Sequence, residues 1–305
     1  MTFPLQLECV DERIGPALRL WLARTRLAPP VPLTLRVRVG DVPSGKADSR
    51  APFRQPAVEI RAGPPQEDLE IRWIPAPAVA TLAAGSREMD VVLSPEAALK
   101  PQATLRTFFP TVLVFLLRRA GWHHVHGATA IDPCGRGWLV TGNTRAGKST
   151  LAALLATRGW SVGTDDNAFL AAGPERVVVM ASYAPIALRR GGQNLLSPRV
   201  GGFSPARGKY TCTVEQLGGE WAPCVDPQVL WFPTVGTDRT IVEPMTSREA
   251  LTELVRWSAW VILEPELAQG HLELLKRLAR QARSFRATLG RDLFDNPDRL
   301  SELIP

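Results

Sequence analysis

Cysteine is scarce in these 305 residues. Cys9, Cys134, Cys212 and Cys224 form no C-x-x-C pair, and the closest two are twelve positions apart. Such spacing argues against zinc ligation and a disulfide framework, and predicts reduced, mostly buried thiols. Long apolar runs are missing too. The most apolar stretch, Phe108 to Leu117, has ten residues and includes Pro110 and Thr111. That is about half of what a membrane-spanning helix needs. The opening MTFPLQLECVDERIG carries Glu8, Asp11 and Glu12 and no apolar core of signal length. A cytoplasmic protein with no membrane partner is expected. No block of like charge occurs either: 36 basic and 30 acidic residues leave a net charge of +6 with no run of five. This dispersed excess suits an anionic ligand. With no nucleic-acid-binding motif, it reads as an arginine-rich surface rather than a nucleic-acid site. No internal repeat is visible. The length allows one large domain or two smaller ones, and a homo-oligomer is compatible with it.

Proline is plentiful, and it punctuates the first hundred residues. APPVP (28–32) and AGPPQED (62–68) are turn or loop signals. Around them LTLRVRV (33–39), AVEIRA (57–62) and LEIRWI (69–74) alternate apolar and polar residues, the pattern of half-buried antiparallel strands. Residues 1–102 therefore read as a strand-rich N-terminal module with a helix near 13–25 and a candidate role in substrate recognition. From Ala103 the texture changes, and 103–305 reads as the catalytic segment. TLRTFFPTVLVFLLRRAG predicts a buried helix that starts or kinks at Pro110 and stops at Gly121. HVHGATAI and GRGWLVTG predict two strands joined by the turn DPCGR. A helix from Lys148 to Arg158 should end at Gly159. WSVGT (160–164) predicts a short strand, and residues 175–245 further strands. An amphipathic helix over 264–283 would bury Leu267, Leu274, Leu275, Leu278 and Ala282. In FDNPDRLSELI, Asn296 can cap a last helix with Pro297 in its first turn.

Gly142, Gly147, Lys148 and Ser149 match G-x-x-x-x-G-K-[ST], between an apolar strand and an alanine- and leucine-rich helix. In such a loop Gly142, Asn143, Thr144, Arg145, Ala146 and Gly147 turn backbone N–H groups toward phosphate oxygens. The helix starting at Lys148, with Ser149 and Thr150 in its first turn, adds its positive end. Lys148 would reach the β and γ phosphates and Ser149 would ligate Mg²⁺. Arg145 stands where many such loops carry glycine. It either adds a cation near the phosphates or points to solvent.

Asp165 and Asp166 follow Lys148 by 17 and 18 positions. In a parallel β-α-β unit both strands end on the same side of the sheet. If WSVGT neighbours the strand before the loop, both carboxylates open onto the phosphates. Mg²⁺ would resolve that repulsion for one of them, and the other could accept the proton of an attacking hydroxyl. The competing reading is a plain Asp165-Asp166-Asn167 turn, which its composition suits.

HGATAI, a turn, WLVTG, GKST, RGW and TDDNAFL come in the order seen in HPr kinase/phosphorylase and its relatives, and the chain resembles that family over about forty-five residues. The matching positions are His126 and Gly127, Gly142 to Ser149, Arg158 and Gly159, and Asp165 and Asp166. RSFRATLGRDLFDNPDRLSEL is similar to the tail of shorter HPr-kinase-like proteins, some of which sit in peptide-modification pathways. The resemblance implies an α/β fold akin to phosphoenolpyruvate carboxykinase, with a P-loop in a mixed, strongly twisted sheet. It implies ATP, Mg²⁺ and phosphoryl transfer to a hydroxyl. Carried over, Asp165 is the base, Asp166 the metal-side acid, and His126 an active-site histidine. By residue type alone, His126 could also pair with His124 on a metal or be a core histidine.

The chain departs from the family in Asn143, Thr144 and Arg145, which replace x-Ser-Gly. The downstream signature that couples kinase to phosphorylase activity is missing, as is a second metal-side glutamate. Phosphorylase activity and an HPr substrate are therefore not implied. ARGKY (206–210) and LRRGG (188–192) can supply acceptor-side cations or be surface arginines. The expectation is an ATP- and Mg²⁺-dependent kinase acting on a serine or similar hydroxyl of a protein or peptide. A small-molecule hydroxyl kinase and a non-kinase ATP-binding regulator or assembly factor are the alternatives.

Overall fold

The computed structural model describes residues 5–44, 53–55, 57–62, 68–196, 202–204, 208–236, 238–296 and 299. It is a mixed α/β protein. The chain divides into two compact units, Met1–His123 with Ile262–Gly270, and His124–Val261 with His271–Pro305.

The first unit is built on a seven-stranded sheet. Its strands are β1 (Gln6–Glu8), β2 (Thr34–Val39), β3 (Phe53–Gln55), β4 (Val58–Arg61), β5 (Leu69–Trp73), β6 (Ala78–Leu82) and β7 (Glu88–Leu93), in the order β1-β2-β7-β6-β5-β4-β3. The first three in that order are parallel and the rest antiparallel. The alternating runs behave as their period requires. Val58, Ile60, Leu69, Ile71 and Trp73 are buried, and the residues between them are half-exposed. Residues 63–67 of AGPPQED lie outside the described residues.

Helix α1 (Gly15–Thr25) follows the first strand. The short turns α2 (Pro95–Ala98) and α3 (Pro101–Ala103) lead into a π-turn at Thr104–Phe108 and then α4 (Phe109–Arg118). The irregularity expected at Pro110 thus takes the form of a wide turn just ahead of it, and Gly121 at φ +75° ends the run. This helix falls in the first unit. Arg118 there is almost fully buried, 3.3 Å from Glu264, which also pairs with Arg119.

The second unit contains β8 (His123–Ile131) from His124 onward, β9 (Gly137–Thr141), α5 (Lys148–Ala156), β10 (Ser161–Val162), β11 (Asn167–Ala172), β12 (Val177–Ala181), β13 (Ile186–Leu188) and α6 (Arg190–Leu195). It continues with β14 (Gly202–Ser204), β15 (Lys209–Cys212), β16 (Glu220–Trp221), β17 (Cys224–Val225), β18 (Pro227–Val235), β19 (Ile241–Met245) and α7 (Ser247–Arg256). Its last elements are α8 (Pro265–Gln281) from His271 onward, β20 (Arg283–Leu289) and α9 (Asp292–Asp295). The central sheet runs β17-β12-β11-β8-β9-β18-β20-β19, and β13-β15-β14 form a separate small sheet.

Strand β9 is antiparallel to β8 and parallel to β18, which is parallel to β20. Alternate side chains feed two cores. Trp138, Val140, Val229, Trp231, Ala287 and Leu289 pack with α5. Leu139, Leu230 and Phe232 pack on the other face with Ala250 and Leu254 of α7 and with Leu274, Leu275 and Leu278 of α8. Trp138 lies 5.2 Å from Trp160 and 5.4 Å from Trp231, ring to ring, which braces the sheet beneath α5. Of the expected stripe on α8, Leu274, Leu275 and Leu278 are buried together with His271 and Ala279, whereas Leu267 is only half-buried and Ala282 is half-buried just past the helix end. Pro297, Asp298 and residues 300–305 of the expected last helix lie outside the described residues.

One sequence expectation needs correction. The strand before the acids does not neighbour β9. Ser161 and Val162 pair antiparallel with Ile131 and Ala130 of β8, so β8 lies between β9 and β10. The reason is steric and topological. The β8–β9 hairpin fills one edge of β9 and β18 fills the other, so only the far edge of β8 is open to β10. Gly163 makes that approach feasible, because a Cβ there would overlap the Thr129 hydroxyl and the Ala222 carbonyl. Being antiparallel to β8, β10 still runs in the same sense as β9, so its C-terminal end reaches the same side. Among the described residues, no helix is long and apolar enough to cross a membrane.

Candidate active site

The loop between β9 and α5 is held by its own backbone. Ala146 N–H donates to Asn143 O at 3.1 Å, and the chain turns left-handed at Arg145 (φ +70°) and Gly147 (φ +94°). Glycine is required at 147 for two reasons: its φ, and the 3.1 Å at which a Cβ would meet Leu289. Arg145 has no such relief. It is exposed and pays left-handed strain in a position where glycine would be relaxed. Arg145→Gly should therefore stabilise the fold. About 1–2 kcal/mol of strain is released, offset by about 0.5–1 kcal/mol of added chain entropy. Calorimetry should show a rise of about 1–3 °C in Tm; a drop would mean that the arginine makes a stabilising contact.

Gly142 and Ala146 are buried, whereas Asn143 and Thr144 are exposed. Lys148 is only 5% exposed, and its ammonium donates to Gly142 O at 2.8 Å and Asn143 O at 2.9 Å. Burial brings its pKa down to about 8, against the pull of Asp166 and Asp165. Thr150 packs against α6, where a Cβ on Gly192 would meet its hydroxyl at 2.5 Å.

The two acids are fixed by a threonine that sequence reasoning missed. Thr164 Oγ1 accepts from the backbone N–H of Asp166 (3.3 Å) and of Asn167 (3.2 Å), an arrangement that turns the chain at the strand end. Gly127 N–H donates to Asp166 O at 3.2 Å, and Thr129 N–H to Thr164 O at 2.9 Å. A hydroxyl residue followed by two turn-forming acids was the available signal.

The carboxylates then diverge. Asp165 points inward, 6% exposed, where it accepts from Ala187 N–H at 3.2 Å and hydrogen-bonds Ser149. Burial and the neighbouring Asp166 charge raise its pKa to about 6, while Ala187, Ser149 and Lys209 oppose the rise. Asp166 points outward, its side chain 59% exposed, with Oδ1 2.7 Å from His126 Nδ1. Burial of its surroundings would raise its pKa. The hydrogen bond and charge of His126, with His124 and Lys148, outweigh that and hold it at about 2. The Asp165-Asp166-Asn167 segment is thus a turn, and it aims the two acids at different partners.

His124 and His126 take different partners, Asn167 and Asp166. His124 Nε2 lies 3.2 Å from Asn167 Oδ1 and its ring stands edge-on to Phe169, and burial keeps its pKa at about 4. Among the described residues, no group of three or more His, Cys, Asp or Glu side chains is placed to hold a metal ion. A hydroxyl and a carboxylate, Ser149 and Asp166, are hard oxygen donors of the kind that suits Mg²⁺, which keeps several of its waters.

The small sheet supplies the far wall. β13 brings Ala187 to Asp165, and β15 brings Lys209 within electrostatic reach of it. Lys209 belongs to the ARGKY stretch; Ala206 and Arg207 lie outside the described residues. Arg189 and Arg190 of LRRGG are exposed.

No family model matches this chain, and no curated protein matches it. A solved structure described as that of the Hpr(Ser) kinase/phosphatase from Coxiella burnetii is similar at 14% identity. The match covers 40% of this chain and 71% of that one, with a TM-score of 0.28. The relationship is a distant structural one and says nothing about the chemistry at the loop.

Proposed function

We propose that the loop from Gly142 to Thr150 cradles the phosphates of ATP, and that the protein is a Mg²⁺-dependent kinase. Its acceptor is a serine or similar hydroxyl on a protein or peptide. The observation that carries this reading is the separation of two adjacent carboxylates into opposite states. Asp165 is buried with its pKa raised to about 6, and Asp166 is exposed with its pKa lowered to about 2. Neighbouring acids pushed apart in this way are suited to different roles.

Asp165, with the higher pKa, is the better base. It would accept the proton of the acceptor hydroxyl as that oxygen bonds to the γ-phosphorus and the bridging P–O bond breaks to release ADP. Lys148 and the loop amides would offset charge on the transferred group. Ser149 and Asp166 would hold Mg²⁺, which when bound neutralises charge on the phosphates. Ser149 can do this while bonded to Asp165, since a hydroxyl has one donor and two acceptor positions. His126 fixes the orientation of Asp166 through the 2.7 Å contact.

Two measurements test the reading. Labelled ATP and candidate serine peptides, followed by mass spectrometry, should show phosphate gained on a hydroxyl. Asp166→Asn should raise the Mg²⁺ needed for half-maximal ATP binding by at least about tenfold, since even outer partners of a bound metal are worth that much. An unchanged Mg²⁺ titration would take Asp166 out of the metal's surroundings.

A further inference from the structure

The position of the acids gives the loop a direction. Asp165 and Asp166 lie on the β8 side of β9, whereas β18 and β20 lie on its other side. A triphosphate extended along the loop with its terminal phosphate toward the carboxylates would carry its nucleoside the other way, over the C-terminal ends of β18 and β20. The β8 side is left to the acceptor.

Val235 stands at that end as the last residue of β18. It is 66% exposed, one of the few large apolar side chains left open among the described residues. Its Cγ2 would lie 3.7 Å from a Cβ built on Gly147, which places it beside the loop. Its register partner Leu289 shares the same face but is buried, at 2% exposure. Of this pair beside Gly147, only Val235 is open to a ligand.

The frame around it is tightly built. Gly236 N–H donates to Leu289 O at 2.9 Å, and Gly290 N–H to Thr240 Oγ1 at 3.0 Å. Thr240 donates to Asp292 Oδ1 through its backbone (2.8 Å) and its hydroxyl (2.7 Å). Gly236 and Gly290 let the segments press together, because a Cβ on either would overlap Thr288 or the Arg239 backbone. An apolar side chain held on such a frame loses little entropy when it is covered.

We infer that Val235 is a platform for the nucleoside of the bound nucleotide, offering an apolar surface to the flat base beside Gly147. This rests on the reading of the loop as a phosphate cradle, and the test separates the two. The full chain is titrated calorimetrically, in Mg²⁺, with ATP and with inorganic tripolyphosphate.

The parent should bind ATP at least about tenfold more tightly than tripolyphosphate, the scale expected for covering most of one valine. Val235→Ser should close most of that gap and Val235→Tyr should widen it, both without change in the thermal midpoint. Tripolyphosphate affinity should stay within about twofold in all three, since no charge is altered near the phosphates. Equal ATP affinity in parent and Val235→Ser overturns the platform and leaves the phosphate cradle standing. So does a parent that binds tripolyphosphate as tightly as ATP. If the parent binds neither, both inferences fall.

Discussion

Asparagine in place of Asp165 is expected to lower phosphate transfer at least about a hundredfold while leaving ATP affinity within a few-fold. General-base catalysis is worth about 10²- to 10⁴-fold. Removal of a group that acts only in the transition state lowers turnover and spares ground-state binding. The substitution is nearly isosteric, and the asparagine oxygen can still accept from Ala187 N–H, now 3.2 Å from Asp165. It also removes a buried carboxylate whose pKa is raised by burial, so the fold should not suffer from the loss of its charge. Single-turnover transfer to the acceptor and calorimetry with ATP measure the two quantities separately. Loss of both together would mean that Asp165 shapes the nucleotide site. Loss of neither would remove the base from the mechanism and favour a regulator in which ATP acts as a switch.

Lys148→Ala should weaken ATP binding by at least about tenfold, or about 1.4 kcal/mol. The ammonium is buried at the mouth of the loop and already holds two of its carbonyls. Removing it leaves Gly142 O and Asn143 O without that donor, so some intrinsic stability should go as well. The decisive reading is therefore the rise in Tm on adding ATP, which follows from linkage. It should be clear in the parent and nearly absent in the variant.

A pH series sharpens this test. Between about 6, where Asp165 titrates, and about 8, to which the free lysine's pKa is lowered, parent affinity should hold steady. As pH rises through about 8 the free protein loses the ammonium, and affinity should fall. Lys148→Ala should show no such limb. Equal ATP affinity in the two proteins would end the phosphate-loop reading.

Much of the second unit could be read from local pattern. The strand before the loop, the turn from Gly142 to Gly147 and the helix at Lys148 follow from apolar runs, glycine spacing and a left-handed stop at Gly159. Each depends on residues a few positions apart. The stripe Leu274, Leu275, Leu278 was legible for the same reason: helical period is local information. The division of Asp165 from Asp166 was foreseen only as an option, because their partners are distant in sequence. Ala187 is 22 positions from Asp165, and His126 is 40 from Asp166. Thr164 was passed over because its hydroxyl matters only once the turn has formed. Val235 gave no signal at all, since exposure is not a property of a strand-forming residue in isolation.

The sequence by itself determined the strand–loop–helix unit, the residue types at its mouth and the paired acids, because short-range sterics and periodicity suffice for each. Only the tertiary structure decided that β10 lies beyond β8 rather than beside β9, that α4 belongs with the first unit, and that one carboxylate is buried while its neighbour faces solvent. Those outcomes depend on which sheet edges remain open and on what each side chain meets there, and both are set by contacts between residues far apart in the chain.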